Sequence, residues 1–161
     1  MQLRFQPVQI ASVPVAEHVH AIHMAAYAQE AELIGAVDFP PLSRTVEDLR
    51  SSGERFLGAY VDNELVGVAG IEQGDGTNAV ISSFVVTPTL HRRGVGRALL
   101  QRIIALHNHQ ELRVQTAARN LPALALYRQN GFLELVRWVA GAEPLELVAL
   151  RRLPLEPRNV A

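Results

Sequence analysis

The chain has 161 residues, 48% of them hydrophobic and 19% charged, a balance that excludes an intrinsically disordered protein and allows one self-sufficient core. With 15 Lys and Arg against 16 Asp and Glu, the net charge of −1 provides no overall basic field to draw the chain to nucleic acid or to an anionic membrane. The absence of cysteine excludes a disulfide framework, a thiolate metal site and a cysteine nucleophile.

In chain order, a short strand is predicted around Leu3 to Gln9. The first twenty residues contain Arg4, Glu17 and two prolines but no apolar run of the kind that opens a secretory signal, and no later stretch is apolar enough to span a membrane. A cytoplasmic location is the expectation. Val15, Val19, Ile22 and Ala26 recur at helical spacing toward Leu33, until Gly35 and Pro40-Pro41 break the pattern. A shorter helix follows from Thr45 to Ser51, with Thr45 as N-cap and Asp48 in an acidic first turn. Phe56 to Val61, Leu65 to Glu72 and Ala79 to Val86 read as a three-strand antiparallel meander, joined at Asp62-Asn63-Glu64 and Gly74-Asp75-Gly76.

From Gly94 the spacing is helical, with Val95, Leu99, Ile103 and Leu106 on one face, and the polar cluster His107 to Gln110 ends it. A strand at Leu112 to Ala117, a helix at Leu121 to Gln129 capped by Gly131, and strands near Phe132 to Val139 and Glu146 to Leu153 complete the pattern. The sum is a mixed α/β domain over 1–153 with one central sheet and helices on both faces, followed by a tail at 154–161 that carries Pro154 and Pro157.

The segment richest in chemistry runs from Phe84-Val85-Val86-Thr87-Pro88 through His91-Arg92-Arg93-Gly94-Val95-Gly96-Arg97-Ala98. A buried strand ends in a proline, a polar loop brings two arginines, and a Gly-x-Gly opens an amphipathic helix. The first N–H groups of a helix lack intrahelical partners and carry the positive end of its dipole, so this is a candidate anion site. The glycine pair taken alone would serve a tight turn equally well. Two nucleotide signatures are excluded: a dinucleotide turn needs a glycine where Leu99 stands, and no Walker sequence occurs.

This segment resembles the cofactor motif of the GNAT superfamily of N-acetyltransferases, Arg/Gln-x-x-Gly-x-Gly/Ala after a strand ending Val-x-Pro, with His91 where arginine or glutamine is usual. A second stretch, Asn120-Leu121-Pro122-Ala123-Leu124-Ala125-Leu126-Tyr127-Arg128-Gln129-Asn130-Gly131-Phe132, resembles the family's Asn-x-x-Ala-x-x-x-Tyr-x-x-x-Gly-Phe. The likeness covers residues 56–135 and hardly touches the first fifty. It implies a single domain around a mostly antiparallel sheet of six to seven strands, and an acetyl-CoA-dependent transfer to a primary amine by direct attack in a ternary complex.

Residue by residue, the resemblance implies that Phe84, Val85 and Val86 pair with the pantetheine arm. Arg92, Arg93, Gly94, Val95, Gly96, Arg97 and Ala98 would receive the pyrophosphate. Asn120 would cap its helix, touch the cofactor, or both. Tyr127 would protonate the leaving thiolate, as a phenol that stays protonated at neutral pH can; outside the motif it would read as a packing aromatic. Many family members carry a glutamate on the strand before the loop, where this chain has Ser82-Ser83, so the base is sought at Glu72, whose other reading is an exposed strand end.

The acceptor pocket is expected beside the first helix, where His23, Tyr27 and Glu30 share a face that would otherwise be solvated. His18, His20 and His23 form no convincing metal set, and none is expected. The acceptor stays open between small-molecule and peptide amines, because Arg44, Arg50 and Arg55 lie among Glu30, Glu32, Glu47 and Asp48. By analogy, the final strands with Trp138 are a candidate homodimer contact. The rival readings are a non-catalytic acyl-CoA-binding or interaction domain on the same fold and a nucleotide-dependent enzyme.

Overall fold

The computed structural model describes residues 1–155. Strand β1 (Arg4–Pro7) leads into α1 (Val13–Ile34), a 3-10 turn at Pro40–Ser43 and α2 (Val46–Ser51). The meander follows as β2 (Arg55–Val61), β3 (Glu64–Gln73) and β4 (Ala79–Val86). Then come α3 (Val95–Leu106), β5 (Leu112–Ala117), α4 (Leu121–Gln129) and the hairpin β6 (Leu133–Ala140) and β7 (Leu145–Arg152). Residues 156–161, most of the expected tail, lie outside the described residues.

Local chemistry explains the boundaries. At the end of α1, Gly35 takes a left-handed φ of 67°, which lets Ala36 N–H return to the Ala31 carbonyl at 2.9 Å. Six-residue α2 is too short to hold by propensity, and a reciprocal capping box fixes its start: Asp48 N–H donates to Thr45 Oγ1 at 3.0 Å and Thr45 N–H donates to Asp48 Oδ2 at 2.8 Å. Asp62 and Asn63, at φ 49° and 67°, make the two-residue turn between β2 and β3.

The seven strands form one sheet in the order β1-β2-β3-β4-β5-β7-β6. Every pairing is antiparallel except β4 with β5, which is parallel and lasts only from Ala79↔Leu112 to Ile81↔Val114. Beyond these residues the two strands part. A bulge accompanies the departure: Gly70 faces Ser83 and Ile71 faces Ile81, leaving Ser82 without a partner on β3. Such an extra residue bends its strand.

Helices cover both faces. On one, Val19, Ala26 and Tyr27 of α1 and Leu49 of α2 pack on Phe56, Val68 and Val85. On the other, Val95, Leu99, Leu100 and Ile103 of α3 and Leu124 and Tyr127 of α4 pack on Ile81, Val86, Leu112, Val114, Val148 and Leu150. Leu106, expected on the buried face of α3, is 50% exposed, because the last turn of the helix opens onto a shallow surface depression shared with Ile10 and Ile71. Phe132 precedes β6 rather than opening it and is buried in the core, following Gly131 at φ 87°. No described helix is long and apolar enough to cross a membrane.

Candidate active-site cleft

A cavity of about 930 Å³ lies where β4 and β5 part. Its walls are Ser82, Ser83 and Phe84 of β4, Val114 to Ala117 of β5, Ala123, Leu126 and Tyr127 of α4, Tyr27 and Glu30 of α1, and the turn between β6 and β7. Among the described residues, the edge of β4 facing β5 has no strand neighbour past Ile81, so its backbone groups are available to an extended, amide-bearing ligand. Since the two strands are parallel, their carboxyl ends point the same way, and α3 and α4 both begin at the open end of the fork.

The N-terminus of α3 supplies anion-binding geometry. Gly94 caps the helix at φ 83°, with open space where a Cβ would stand. Ala98 N–H is the first to bond back, to the Gly94 carbonyl at 3.0 Å, so the N–H groups of Val95, Gly96 and Arg97 have no intrahelical acceptor. A Cβ on Gly96 would lie 3.6 Å from Phe84 and 3.8 Å from Leu126, both on the cleft wall, so the helix mouth adjoins the cleft. Arg92, Arg93 and Arg97 make no ion pair among the described residues. His91, the departure from the motif, bonds through Nε2 to the Val86 carbonyl at 2.8 Å and ties the loop to the end of β4; with a carbonyl as acceptor, Nε2 carries the proton.

Tyr127 is only 4% exposed, its ring wedged edge-on against Phe84 and tilted against Phe132. Burial first, then the nearby charges of Glu30 and Tyr27, push its pKa up, so the phenol holds its proton until a strong base appears beside it. Glu30 is half-buried in the cleft wall, where burial raises its pKa and a hydrogen bond from Asn120 Nδ2 at 2.9 Å opposes the rise. Asn120 also caps α4, its Oδ1 accepting from Ala123 N–H at 3.2 Å. Tyr27 completes this wall, and burial raises its pKa as well.

Two sequence candidates are not brought to the cleft. His23 is 0% exposed beneath Tyr27 and beside Phe56, with neither ring nitrogen hydrogen-bonded among the described residues, and burial lowers its pKa to about 4. An uncharged ring sealed in the core cannot meet a substrate. Glu72 is exposed opposite Val80, at the closed end of the fork, and lines no part of the cleft. Glu54 carries no signal in the sequence, standing in a Ser-Gly-Glu-Arg turn with no motif around it. It is buried against the bulge of β4, accepting from Arg44 and from Ser82. Among the described residues no group of three or more His, Asp or Glu side chains is arranged to hold a metal ion.

The model of the acetyltransferase (GNAT) family matches residues 17–132. UPF0157 protein YqkA of Bacillus subtilis is 39% identical over 120 residues, which is 73% of this chain and 34% of that protein. The mycothiol acetyltransferase of Geodermatophilus obscurus is 38% identical over 101 residues, 58% of this chain and 32% of the relative. The chain thus spans about a third of the length of these relatives. In fold it matches the ribosomal-protein-S18-alanine N-acetyltransferase from Escherichia coli, with TM-score 0.77 and 16% identity over 99% of each chain. It also matches the PaiA N-acetyltransferase from Thermoplasma acidophilum in complex with coenzyme A, with TM-score 0.73 and 15% identity over 95% of this chain and 99% of that one.

Proposed function

The chain belongs to the acetyltransferase (GNAT) family, and on that premise we propose that it transfers the acetyl group of acetyl-CoA to a primary amine by direct attack in a ternary complex. The observation that carries this reading is the fork: a cleft opened by the three-pair β4–β5 contact, with the buried phenol of Tyr127 on its wall and the α3 N-terminus beside it.

The residues present fit acetyl-CoA as donor substrate. The free edge of β4 at Phe84 to Val86 accepts the amide-bearing arm as an added strand, and a backbone N–H there polarises the thioester carbonyl. The first turn of α3, with Gly94 and Gly96 bare of side chains and Arg92, Arg93 and Arg97 around them, receives the phosphates. Tyr127 gives its proton to the departing sulfur; its raised pKa keeps the phenol protonated beforehand. Glu30 and Tyr27 face the acceptor, and the Glu30 carboxylate binds its ammonium group. Asp38, Glu143 and Glu146 line the same cleft, and this acidic lining suits a cationic small amine or a peptide N-terminus.

Calorimetry with acetyl-CoA on the wild type and on Gly94→Glu tests the donor site. Binding by the wild type that is lost in the variant is expected, and a folded wild type that does not bind acetyl-CoA refutes the proposal. Tyr127→Phe is expected to keep that binding and to lose about 100-fold in the rate of thiol release.

A further inference from the structure

We propose that Ser82 and Glu54 form the route by which the acceptor amine loses its proton, an inference that rests on the acetyl-transfer reading of the cleft.

A primary amine arrives mainly as ammonium at neutral pH, with a pKa of about 8 for a peptide N-terminus and about 10 for an alkylamine, so a proton must leave before its nitrogen can attack. Ser82 faces the cleft from the bulge of β4, and a hydroxyl alone is no base. Its Oγ, however, donates to Glu54 Oε2 at 2.7 Å. The Glu54 side chain is only 3% exposed, so within this pair the hydroxyl is the member that meets the cleft. The other carboxylate oxygen accepts from the Arg44 guanidinium, which fixes its orientation.

The surroundings are built around this pair. A methyl group on Gly70 would collide with the Glu54 carboxylate and lie 2.6 Å from Ser83 Oγ, so the bare glycine on β3 makes room for both. Ser83 Oγ in turn accepts from Gly70 N–H at 3.1 Å and leaves Ser82 as the hydroxyl turned to Glu54. Arg44 from the segment before α2 and His23 and Tyr27 from α1 are the charged and titratable groups coupled to Glu54, with His20 beside His23 and the exposed Arg55 next in the chain. His20 bonds through Nε2 to the Arg44 carbonyl at 2.9 Å, and His23 stays neutral. Neither histidine is bonded to the carboxylate.

The step balances without a further reagent. As the N–C bond forms and the C–S bond breaks, the proton on nitrogen passes to Ser82 Oγ while the Ser82 proton passes to Glu54. The sulfur takes the phenol proton of Tyr127. Glu54 then releases its proton to solvent through Ser82, and Tyr127 regains one from solvent. The first proton of the ammonium leaves by the same hydroxyl before attack, and Glu54 passes it to solvent before the second arrives.

The test uses the whole chain, acetyl-CoA, and alaninamide, spermidine and tyramine as probe amines, with thiol release followed from neutral to alkaline pH. Ser82→Ala and Glu54→Gln are each expected to lower kcat about 100-fold at neutral pH while leaving acetyl-CoA affinity unchanged, with the residual rate climbing as free amine accumulates. The double variant is expected to be no slower than either single one, because both changes cut one route. Ser82→Thr, which keeps the hydroxyl, is expected to retain most of the rate. Ser82→Ala leaves the Arg44–Glu54 pair intact, so it reports on the relay even where Glu54→Gln fails to fold. A Ser82→Ala protein with the wild-type rate and pH profile overturns the relay and leaves acetyl transfer standing. A wild type that binds no acetyl-CoA, or that releases no thiol with any of the three amines, overturns the acetyl-transfer reading and the relay with it.

Discussion

The side-chain amide of Asn120 holds the carboxylate of Glu30 across 90 residues of sequence, with Nδ2 donating to Oε1 at 2.9 Å, while the same amide caps α4 through Oδ1. One residue therefore starts the helix that carries Tyr127 and positions the Glu30 carboxylate on the cleft wall. Asn120→Ala is expected to cost about 1 kcal/mol of stability through the lost cap and to raise the acceptor KM together with it. Asn120→Asp preserves the cap but sets a second carboxylate against Glu30, so its stability is expected to fall as pH rises through the carboxylate range. Thermal melts across pH separate the two effects.

Glu30 itself links stability to binding. Its pKa is raised in the folded protein, chiefly by burial, so the folded state holds the proton more tightly than the unfolded chain. That contribution is present in acid and is lost as pH rises through the raised value. Glu30→Gln is expected to melt higher than the wild type at neutral pH, with the difference vanishing in acid, and to raise the acceptor KM about 10-fold through loss of a charge-assisted contact.

His23 works in the opposite direction. Its pKa is lowered from 6.5 to about 4 by burial, aided by Arg44, so the unfolded chain takes up a proton that the folded protein refuses. Stability from this residue is complete above pH 6.5 and is lost as pH falls toward 4, a loss of about 3 kcal/mol. His23→Leu removes two unpartnered ring nitrogens and is expected to match or exceed wild-type stability at neutral pH, with a shallower decline in Tm on acidification. An unchanged acid limb in the variant would count against this account.

Gly70→Ala offers a probe of the Glu54 pocket from a residue outside the proposed proton route. The added methyl must displace the carboxylate or Ser83, so thiol release is expected to slow while acetyl-CoA binding, on the other side of β4, persists. Wild-type turnover by a folded Gly70→Ala protein would show that the position of the carboxylate is immaterial.

What was legible in the sequence is what local backbone chemistry dictates. The helix Leu121–Gln129 and the strands Leu112–Ala117 and Ala79–Val86 coincide with their sequence boundaries because Asn120, Gly131 and β-branched runs mark them directly. The α3 N-terminus was readable for the same reason, since Gly94 must be left-handed there. The fork was not: it arises from a parallel contact between strands far apart in sequence and from a bulge at Ser82, which in one dimension is only a polar interruption. Spacing put His23, Tyr27 and Glu30 on one helical face, but α1 crosses the sheet, so one face meets sealed core at His23 and the cleft wall at Glu30. Proximity in sequence favoured Glu72, whereas pairing decides position, and Val80 is its partner. Glu54 needed both the burial and the partner that only tertiary structure supplies.

The single parallel pairing also governs which changes of chain length the protein can absorb. Because β4 and β5 run the same way, the chain has to cross from one end of the sheet to the other between them, and α3 is that crossing. The two connections of the crossing differ in consequence. A residue inserted between Thr87 and Arg93 shifts the helix mouth relative to Phe84 and puts the free N–H groups of α3 out of step with the edge of β4. One inserted between His107 and Gln110 lengthens a turn at the far end and leaves that spacing untouched. Insertions and deletions in descendants of this sequence should therefore collect after α3 and be purged before it.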